Sequence, residues 1–456
     1  MNKTESIYIT VYMKEKYRFS SYSIVVPLNS EIENVFMMHG YTGAIDVLSK
    51  EIAGYLQSHD NFTKEDVPCS QTTIDVLEKR GYITKWSKEE EIEYAKRLAN
   101  ALYRKENILN NNFTVVVTYD CNFRCPYCFE KNIKKDTTTF TEEMTDRLYK
   151  AILEIAPEQK LRNNTITLYG GEPLLKENKE SVTYLVETGK KLGFKFSAIT
   201  NGYDLDYYED LLGPDCICHI QITIDGMPEL HNQKRIHRCG LQTFDKIVQN
   251  VGLALKKEVS VSIRVNTDRN NIQQLNELYQ LFSEKGYTDN KLFYMYSALL
   301  RHHDVGAAPQ NILSQKEYIQ QIKESNIRCS HHDYGLSNRI STAIKRNSPL
   351  SLTASFCGAQ NKGFVLDPLG RIYPCWEVVN QEEHLLGSYD GECITWNNHV
   401  QHTWRNSIAV KSECIRCKYV FLCRGGCPAH QLYKKQCTHI EEIVHHTVDR
   451  TYVSIK

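Results

Sequence analysis

Apolar and polar positions change rhythm twice along the chain. In the first hundred residues short β-rich runs come first: Tyr8 to Met13, Tyr22 to Pro27 and Asn34 to His39 predict three strands, with Asn29 and Ser30 giving turn chemistry between the second and third. Ile45, Leu48, Ile52 and Leu56 then fall at i, i+3, i+7 and i+11 and predict a helix. Ile74 and Leu77 open a second helix that stops at Gly81, and Tyr82 to Trp86 can pair back as a wing. Ser87 with Glu90 reads as a capping box, ahead of a helix whose apolar face is Ile92, Ala95, Leu98 and Leu102. The expectation for residues 1–105 is a winged-helix-like module.

From residue 106 strands alternate with helical stretches. The strand candidates are Phe113 to Thr118, Thr165 to Tyr169, Lys195 to Thr200, Ile217 to Ile224, Val259 to Asn266 and Lys291 to Tyr296. Unbroken apolar runs such as Val115-Val116-Val117 suit parallel strands covered on both faces. The pattern predicts an α/β chain with a partial (β/α)6 TIM barrel over 106–310, whose functional loops lie at the C-terminal strand ends. Residues 311–350 read as bridging helices, Ser314 to Ser325 and Ser337 to Arg346, and 351–456 as a loop-rich, cysteine-dense domain.

A length of 456 residues implies several such units and ample core. Lys+Arg and Asp+Glu are both 55, so no polybasic field invites nucleic acid. No apolar run nears the roughly 18 residues that cross a bilayer, and the first twenty residues lack the apolar core of a secretory signal, so the expected setting is the reducing cytoplasm, away from membranes. There the sixteen cysteines need an explanation other than disulfides. Cys121, Cys125 and Cys128 fall within eight residues, and seven more lie between Cys357 and Cys437 once Cys393 is set aside. Clustered thiols in such a compartment read as metal or iron–sulfur ligands. Cys69, Cys216, Cys218, Cys239, Cys329 and Cys393 read as small core hydrophobes.

Directly after the first barrel strand comes Tyr119-Asp120-Cys121-Asn122-Phe123-Arg124-Cys125-Pro126-Tyr127-Cys128, a CxxxCxxC loop. Three thiolates hold three irons of a four-iron cube and leave the fourth open to a ligand, unlike a closed four-ligand zinc site. The loop resembles the signature of the radical S-adenosylmethionine (SAM) enzymes. Tyr169-Gly170-Gly171-Glu172-Pro173, after the second strand, resembles that family's GGEP segment, which receives the ammonium of the SAM methionine. The resemblance extends to Asn201 after the third strand, Thr223 in Thr223-Ile224-Asp225-Gly226 after the fourth, and Arg264 in Ile263-Arg264-Val265-Asn266. It implies that Tyr127 lies near adenine, that Gly170, Gly171, Glu172, Asn201, Thr223 and Arg264 contact SAM, and that reductive SAM cleavage gives a 5'-deoxyadenosyl radical.

Cys357-x12-Gly370-x4-Cys375 and Cys414-x2-Cys417-x5-Cys423-x3-Cys427-x9-Cys437 together resemble the SPASM domain, the auxiliary-cluster extension of radical SAM maturases. By that resemblance Cys414, Cys417, Cys423 and Cys437 enclose one auxiliary [4Fe-4S] cluster, and Cys357, Cys375 and Cys427 hold the other, three clusters in all. Seven thiolates leave one position open, with Cys393 or a substrate thiol as candidates. The C-x2-C pieces alone would equally suit a zinc-ribbon scaffold.

Anaerobic sulfatase maturases resemble this chain in both cluster regions but carry an Asp where Trp376 stands here. The N-terminal module resembles the element that captures leader peptides of ribosomally made, modified peptides, by strand addition. The resemblance therefore implies a radical SAM-SPASM maturase that installs a cross-link, a Cys thioether in the favoured reading, in a precursor peptide. Carbon–carbon cross-linking, sulfatase-maturase-like oxidation and a non-catalytic electron carrier are the alternatives. The implied partners are the precursor peptide and an electron donor such as flavodoxin or ferredoxin. No catalytic acid or base can be named; Glu377 reads as a surface residue, and the pairs His302-His303, His331-His332 and His445-His446 as solvated faces.

Overall fold

The computed structural model describes residues 15–108, 111–133, 136–301, 309–406, 408, 413–433, 437 and 439–456. The expected strand Tyr8 to Met13 and the pair His302-His303 lie outside them.

The N-terminal unit opens with β1 (Arg18–Phe19), followed by β2 (Ser23–Pro27), β3 (Asn34–His39) and β4 (Ile45–Ser49), the last three forming an antiparallel meander. The stretch from Ile45 is therefore not the first turn of a helix, as its spacing predicts. Ile45 and Leu48 stand opposite Met38 and Val35 across the sheet. The helix α1 (Lys50–Ser58) begins only after Ser49, whose side chain accepts a hydrogen bond from the Ile52 amide at 3.4 Å. Next come α2 (Gln71–Lys79), β5 (Ile83–Thr84), paired with β1 as the expected wing, and α3 (Lys88–Glu106). Both bonds of the Ser87–Glu90 capping box are formed.

Six parallel strands follow in sequential order: β6 (Asn111–Thr118), β7 (Arg162–Gly170), β8 (Lys195–Thr200), β9 (Ile217–Thr223), β10 (Ser260–Thr267) and β11 (Phe293–Leu299). Between them run α4 (Glu142–Ile155), α5 (Lys179–Lys191), α6 (Pro228–Lys234), α7 (Phe244–Lys256) and α8 (Leu275–Glu284). Val115, Val116 and Val117 are all fully buried, as a strand covered on both faces requires. This is the partial barrel that the alternation predicts. A short β12 (Ser330–His331) adds to β11, between the bridging helices α9 (Gln315–Glu324) and α10 (Leu336–Arg346).

At the other edge β13 (Gly363–Leu366) pairs parallel with β6. Hairpins through β14 (Arg371–Tyr373), β15 (Gly387–Ser388) and β16 (Thr395–Trp396) complete an eleven-stranded sheet. The cysteine-dense segment is thus woven into the barrel sheet. It continues through α11 (Asn398–Arg405), α12 (Val420–Cys423), α13 (Pro428–Tyr433) and α14 (Glu441–Ile455). The last of these reaches back to the N-terminal unit, where Asn29 donates to the Asp449 carboxylate from its backbone and side-chain nitrogens at 3.0 and 2.8 Å. Among the described residues no helix is long and apolar enough to cross a membrane.

Candidate active site

The end of β6 delivers the cysteine loop. Cys121, Cys125 and Cys128 are all partly buried, and the loop is folded by the Cys128 amide donating to the Cys125 carbonyl at 3.1 Å and the Phe123 amide to Cys121 Sγ at 3.3 Å. The end of β7 lies against it: the Gly171 amide donates to the Thr118 carbonyl at 3.0 Å and the Glu172 amide to the Asp120 carbonyl at 2.8 Å. Gly170 sits at φ +128, and a Cβ on either glycine would collide with the carbonyl of Thr118 or Asp120. The paired glycines thus let the GGEP backbone close on the cysteine loop.

The Glu172 carboxylate is engaged within the protein. The group is buried and accepts from Thr200 Oγ1 at 2.5 Å, the Asn201 amide at 2.6 Å and the Leu174 amide at 2.9 Å, tying the end of β7 to the end of β8. Burial outweighs these donors and pushes its pKa up to about 7. Asn201 is likewise committed: its Nδ2 donates to Asn122 Oδ1 at 2.7 Å, and Asn122 donates on to Asp204 at 3.1 Å.

Tyr127 joins the loop to the far strands. Its hydroxyl donates to the buried Asp225 carboxylate just beyond β9, and Arg235 donates to that hydroxyl at 3.1 Å. Asp225 also accepts from the Asn266 amide of β10 at 2.9 Å. Thr223 and Arg264 are register partners across β9 and β10, and Arg264 Nε donates to Asn266 Oδ1 at 2.9 Å. The predicted SAM contacts lie at the C-terminal strand ends in two hydrogen-bonded groups, one around Glu172 and Asn201 and one around Tyr127 and Arg264. Asp225 of the second belongs to the segment quoted after the fourth strand, whereas Arg235 has no signature in the sequence.

Six of the seven C-terminal cysteines fall into two groups. The Cys375 thiol feels the charges of Glu377, Cys357 and Cys427, and burial first and these neighbours second hold it well above the usual range. Cys417 is raised by burial and by the neighbouring Cys437 and Cys414. The Cys417 amide donates to the Cys414 carbonyl at 2.9 Å, and the Val420 amide to the Cys417 carbonyl at 3.0 Å, starting the one-turn helix that ends on Cys423. Raised thiols exchange their protons for metal on binding, so the donor sets suit iron–sulfur clusters. Among the described residues no three His, Cys, Asp or Glu side chains close tightly around a single ion; a four-iron cube spans more space than one ion.

Cys393 joins neither group: it is exposed in the β15–β16 turn, next to Ile394, whose amide donates to Glu154 of α4. Trp376 stacks on Tyr169 with centroids 5.3 Å apart. The Tyr169 hydroxyl is itself raised by burial and then by the charges of Glu130, Cys128, Glu377 and Cys375, so this buried tyrosine stands between the two cysteine regions. Glu377 is not a surface residue. Its side chain is 15% exposed and pairs with Arg301 at 3.6 Å and His430 at 3.8 Å. His331 and His446 are not simple solvated faces either, since their rings meet 5.8 Å apart.

This architecture defines a class. Residues 115–282 match the Radical SAM superfamily model, and the barrel is a radical SAM domain, which brings SAM and a [4Fe-4S] cluster with it. Beyond the class, the chain is 26% identical over 332 residues, 67% of its length and 85% of the relative's, to a cysteine-type anaerobic sulfatase-maturating enzyme of Clostridium perfringens (strain 13 / Type A). Its fold is similar to native anSMEcpe with bound AdoMet, at TM-score 0.58 and 22% identity over 75% of this chain and 98% of that one. It is also similar to SuiB of Streptococcus suis, at TM-score 0.52 and 13% identity over 92% of this chain and 97% of that one, a protein also solved bound to the precursor peptide SuiA. The chain carries a radical SAM domain and is related in sequence to cysteine-type anaerobic sulfatase-maturating enzymes.

Proposed function

We propose that the enzyme installs a cross-link, a Cys thioether in the favoured reading, in a ribosomally made precursor peptide. The observation that carries this reading is Trp376, which occupies the place of the sulfatase maturases' Asp and lies stacked on Tyr169 over the site. An indole cannot accept a proton as that carboxylate does. Coverage of 92% of the chain by SuiB adds weight, because the match takes in the N-terminal unit. That unit presents an apolar groove lined by Val25, Pro27, Leu28, Ile32, Val35 and Ala53, with Ile32 78% exposed, which suits a leader peptide.

In this reading Cys121, Cys125 and Cys128 hold the SAM cluster, Cys414, Cys417, Cys423 and Cys437 one auxiliary cluster, and Cys357, Cys375 and Cys427 the other. SAM bound to its cluster supplies, on one-electron reduction by a flavodoxin or ferredoxin, a 5'-deoxyadenosyl radical that abstracts hydrogen from the peptide. The chain's own residues do the positioning. Gly170 and Gly171 set the backbone against the cysteine loop, the Tyr127–Asp225–Arg235 framework fixes that loop against β9 and β10, and Trp376 with Tyr169 walls the space between the cysteine regions.

The test is anaerobic reconstitution, then SAM, a reductant and the candidate precursor. Wild-type protein should carry about twelve irons, four for each cluster, and form 5'-deoxyadenosine and a peptide lighter by two hydrogens. Cys125→Ala should abolish SAM cleavage, whereas Cys423→Ala should keep some uncoupled cleavage and lose peptide modification. Formylglycine in a sulfatase peptide, with no change in the precursor, would transfer the assignment to the sulfatase maturases.

A further inference from the structure

We propose that the cavity between α10 and α14 binds the phosphate group of a small ligand, with Arg450, His331 and His446 as the receiving side chains. The site lies apart from the proposed chemistry: no cysteine and none of the predicted SAM contacts lines it.

The cavity follows from the sequences of the two helices. Ser337, Ser341 and Lys345 recur at every fourth residue of α10, and His446, Arg450 and Ser454 do so along α14, so each helix turns one polar row toward the same space. The helices run side by side in the same direction: Ser337 Oγ and Thr447 Oγ1 share a hydrogen bond at 2.7 Å, and Ser341 Oγ and Thr451 Oγ1 another at 2.9 Å. Residues of β12, with Tyr294 and Tyr296 of β11, complete the lining. The enclosed space is about 650 Å3, within the range of small-molecule sites. No Ala, Val, Leu, Ile or Met lines it. Hydroxyls, imidazoles and two cations do, and such a wall does not suit an apolar occupant.

Two features of the wall call for an anion. The first is a pair of bare ring nitrogens: Nε2 of His331 and Nε2 of His446 are buried without a hydrogen-bond partner, in rings whose centroids lie 5.8 Å apart. The His331 side chain is only 7% exposed, and a buried polar atom left unmade in this way is costly. The second is charge that the protein does not cancel. Arg450 and Lys345 make no ion pair among the described residues. Asp449, next to Arg450 in the chain, is bound to Asn29 instead. Asp333, the one carboxylate of the lining, accepts from the Ser337 amide at 2.7 Å at the start of α10 and stands 3.8 Å from His331 Nε2, beyond hydrogen-bond reach. Burial first, and then the charges of His331, Lys323 and Arg450 against that of Asp449, hold the His446 imidazole down to about 4, so the local field favours a negative group. A phosphate presents several acceptor oxygens at once. Two imidazole N–H groups and a guanidinium can meet them, with the flanking hydroxyls as further donors.

The experiment is equilibrium dialysis of the reconstituted full-length enzyme, with SAM present to fill the barrel, against orthophosphate, ribose 5-phosphate and AMP. Wild type should bind at least one of the three saturably, and the tightest of them distinguishes a free anion from a phosphorylated molecule. Arg450→Gln and His446→Phe should each weaken that binding about tenfold or more, the loss of one donor to a charged group. Arg450 is exposed, so its replacement leaves the fold intact even where the buried imidazole does not tolerate exchange. Lys323→Gln, which changes the same field from outside the cavity, should stay within about twofold of wild type. Absence of saturable binding for all three probes, or equal weakening by Lys323→Gln and Arg450→Gln, would overturn the proposal. Uptake of an acidic peptide where every phosphate fails would overturn it as well and give the cavity to a carboxylate.

Discussion

Glu172 carries two opposed demands in one side chain. Three donors favour the carboxylate, while complete burial favours the neutral acid, and burial prevails, lifting the group from 4.5 to about 7. Between those two values the unfolded chain has lost the proton and the native protein still holds it. The contribution of this group to native stability therefore falls as pH rises from 4.5 to 7 and is level on either side, a loss of roughly 3 kcal/mol. Glu172→Gln cannot ionise, so the stability advantage of wild type over this variant should shrink between pH 5 and pH 7 in urea titrations. An advantage that stays constant would place the Glu172 pKa at its ordinary value. The residue identities around this group were legible in the sequence, the GGEP segment above all, but the direction of the carboxylate was not. It depends on Thr200 and Asn201, which β8 brings in from almost thirty positions away. Glu377, read from the sequence as a surface residue, was hidden for the same reason: its partners Arg301 and His430 come from distant parts of the chain.

At the level of the element, α3 shows how a buried charge can dock a helix. Its first turn holds Glu89, Glu90 and Glu91, which the helix dipole favours, yet Glu91 alone is fully buried. Burial raises its pKa, but the Ser20 hydroxyl, the Ser21 amide and Arg18 together bring it below the ordinary value. Tyr41 adds a hydroxyl at 3.0 Å. Truncation by Glu91→Ala would leave Arg18, Ser20 and Tyr41 without their shared acceptor, and breaking such a buried pair costs about 3–5 kcal/mol. Urea unfolding should shift by that amount, with hydrogen-exchange protection lost first in β1 and β2; a shift under about 1 kcal/mol would mark the pair as replaceable by solvent. The capping box that starts this helix was readable because it is local. The boundary between β4 and α1 was not, since Ile45, Leu48, Ile52 and Leu56 satisfy a helical spacing even though the first two lie on a strand. The signal that separates them is Ser49, an N-cap residue in the middle of the run.

Across the whole molecule, the N-terminal unit is seated on one of the cysteine segments. Tyr22, Tyr41, Ala95 and Ala99 share a core with Ile415, Val420 and Phe421, and the Tyr22 hydroxyl donates to the Ile415 carbonyl at 2.5 Å. Those partners lie within the run from Cys414 to Cys423, so a peptide held by the N-terminal unit would be held against the segment proposed to ligate an auxiliary cluster. Gly40 lies on this seam against Lys418. Its φ is ordinary, but a Cβ there would strike the Lys418 backbone carbonyl, which cannot rotate aside as a side chain would. Gly40→Ala should therefore force the surfaces apart at a cost of about 1–3 kcal/mol. If the seam couples capture to chemistry, precursor modification should drop roughly five- to a hundredfold, the rate equivalent of that cost. Peptide-independent SAM cleavage, which depends on the loops after β6, β7 and β9, should stay within about twofold of wild type. Hydrogen exchange over residues 413–423 should quicken in parallel. Faster exchange with undiminished modification would show that the precursor reaches the barrel without help from this seam, and would return the N-terminal unit to the role of a structural cap.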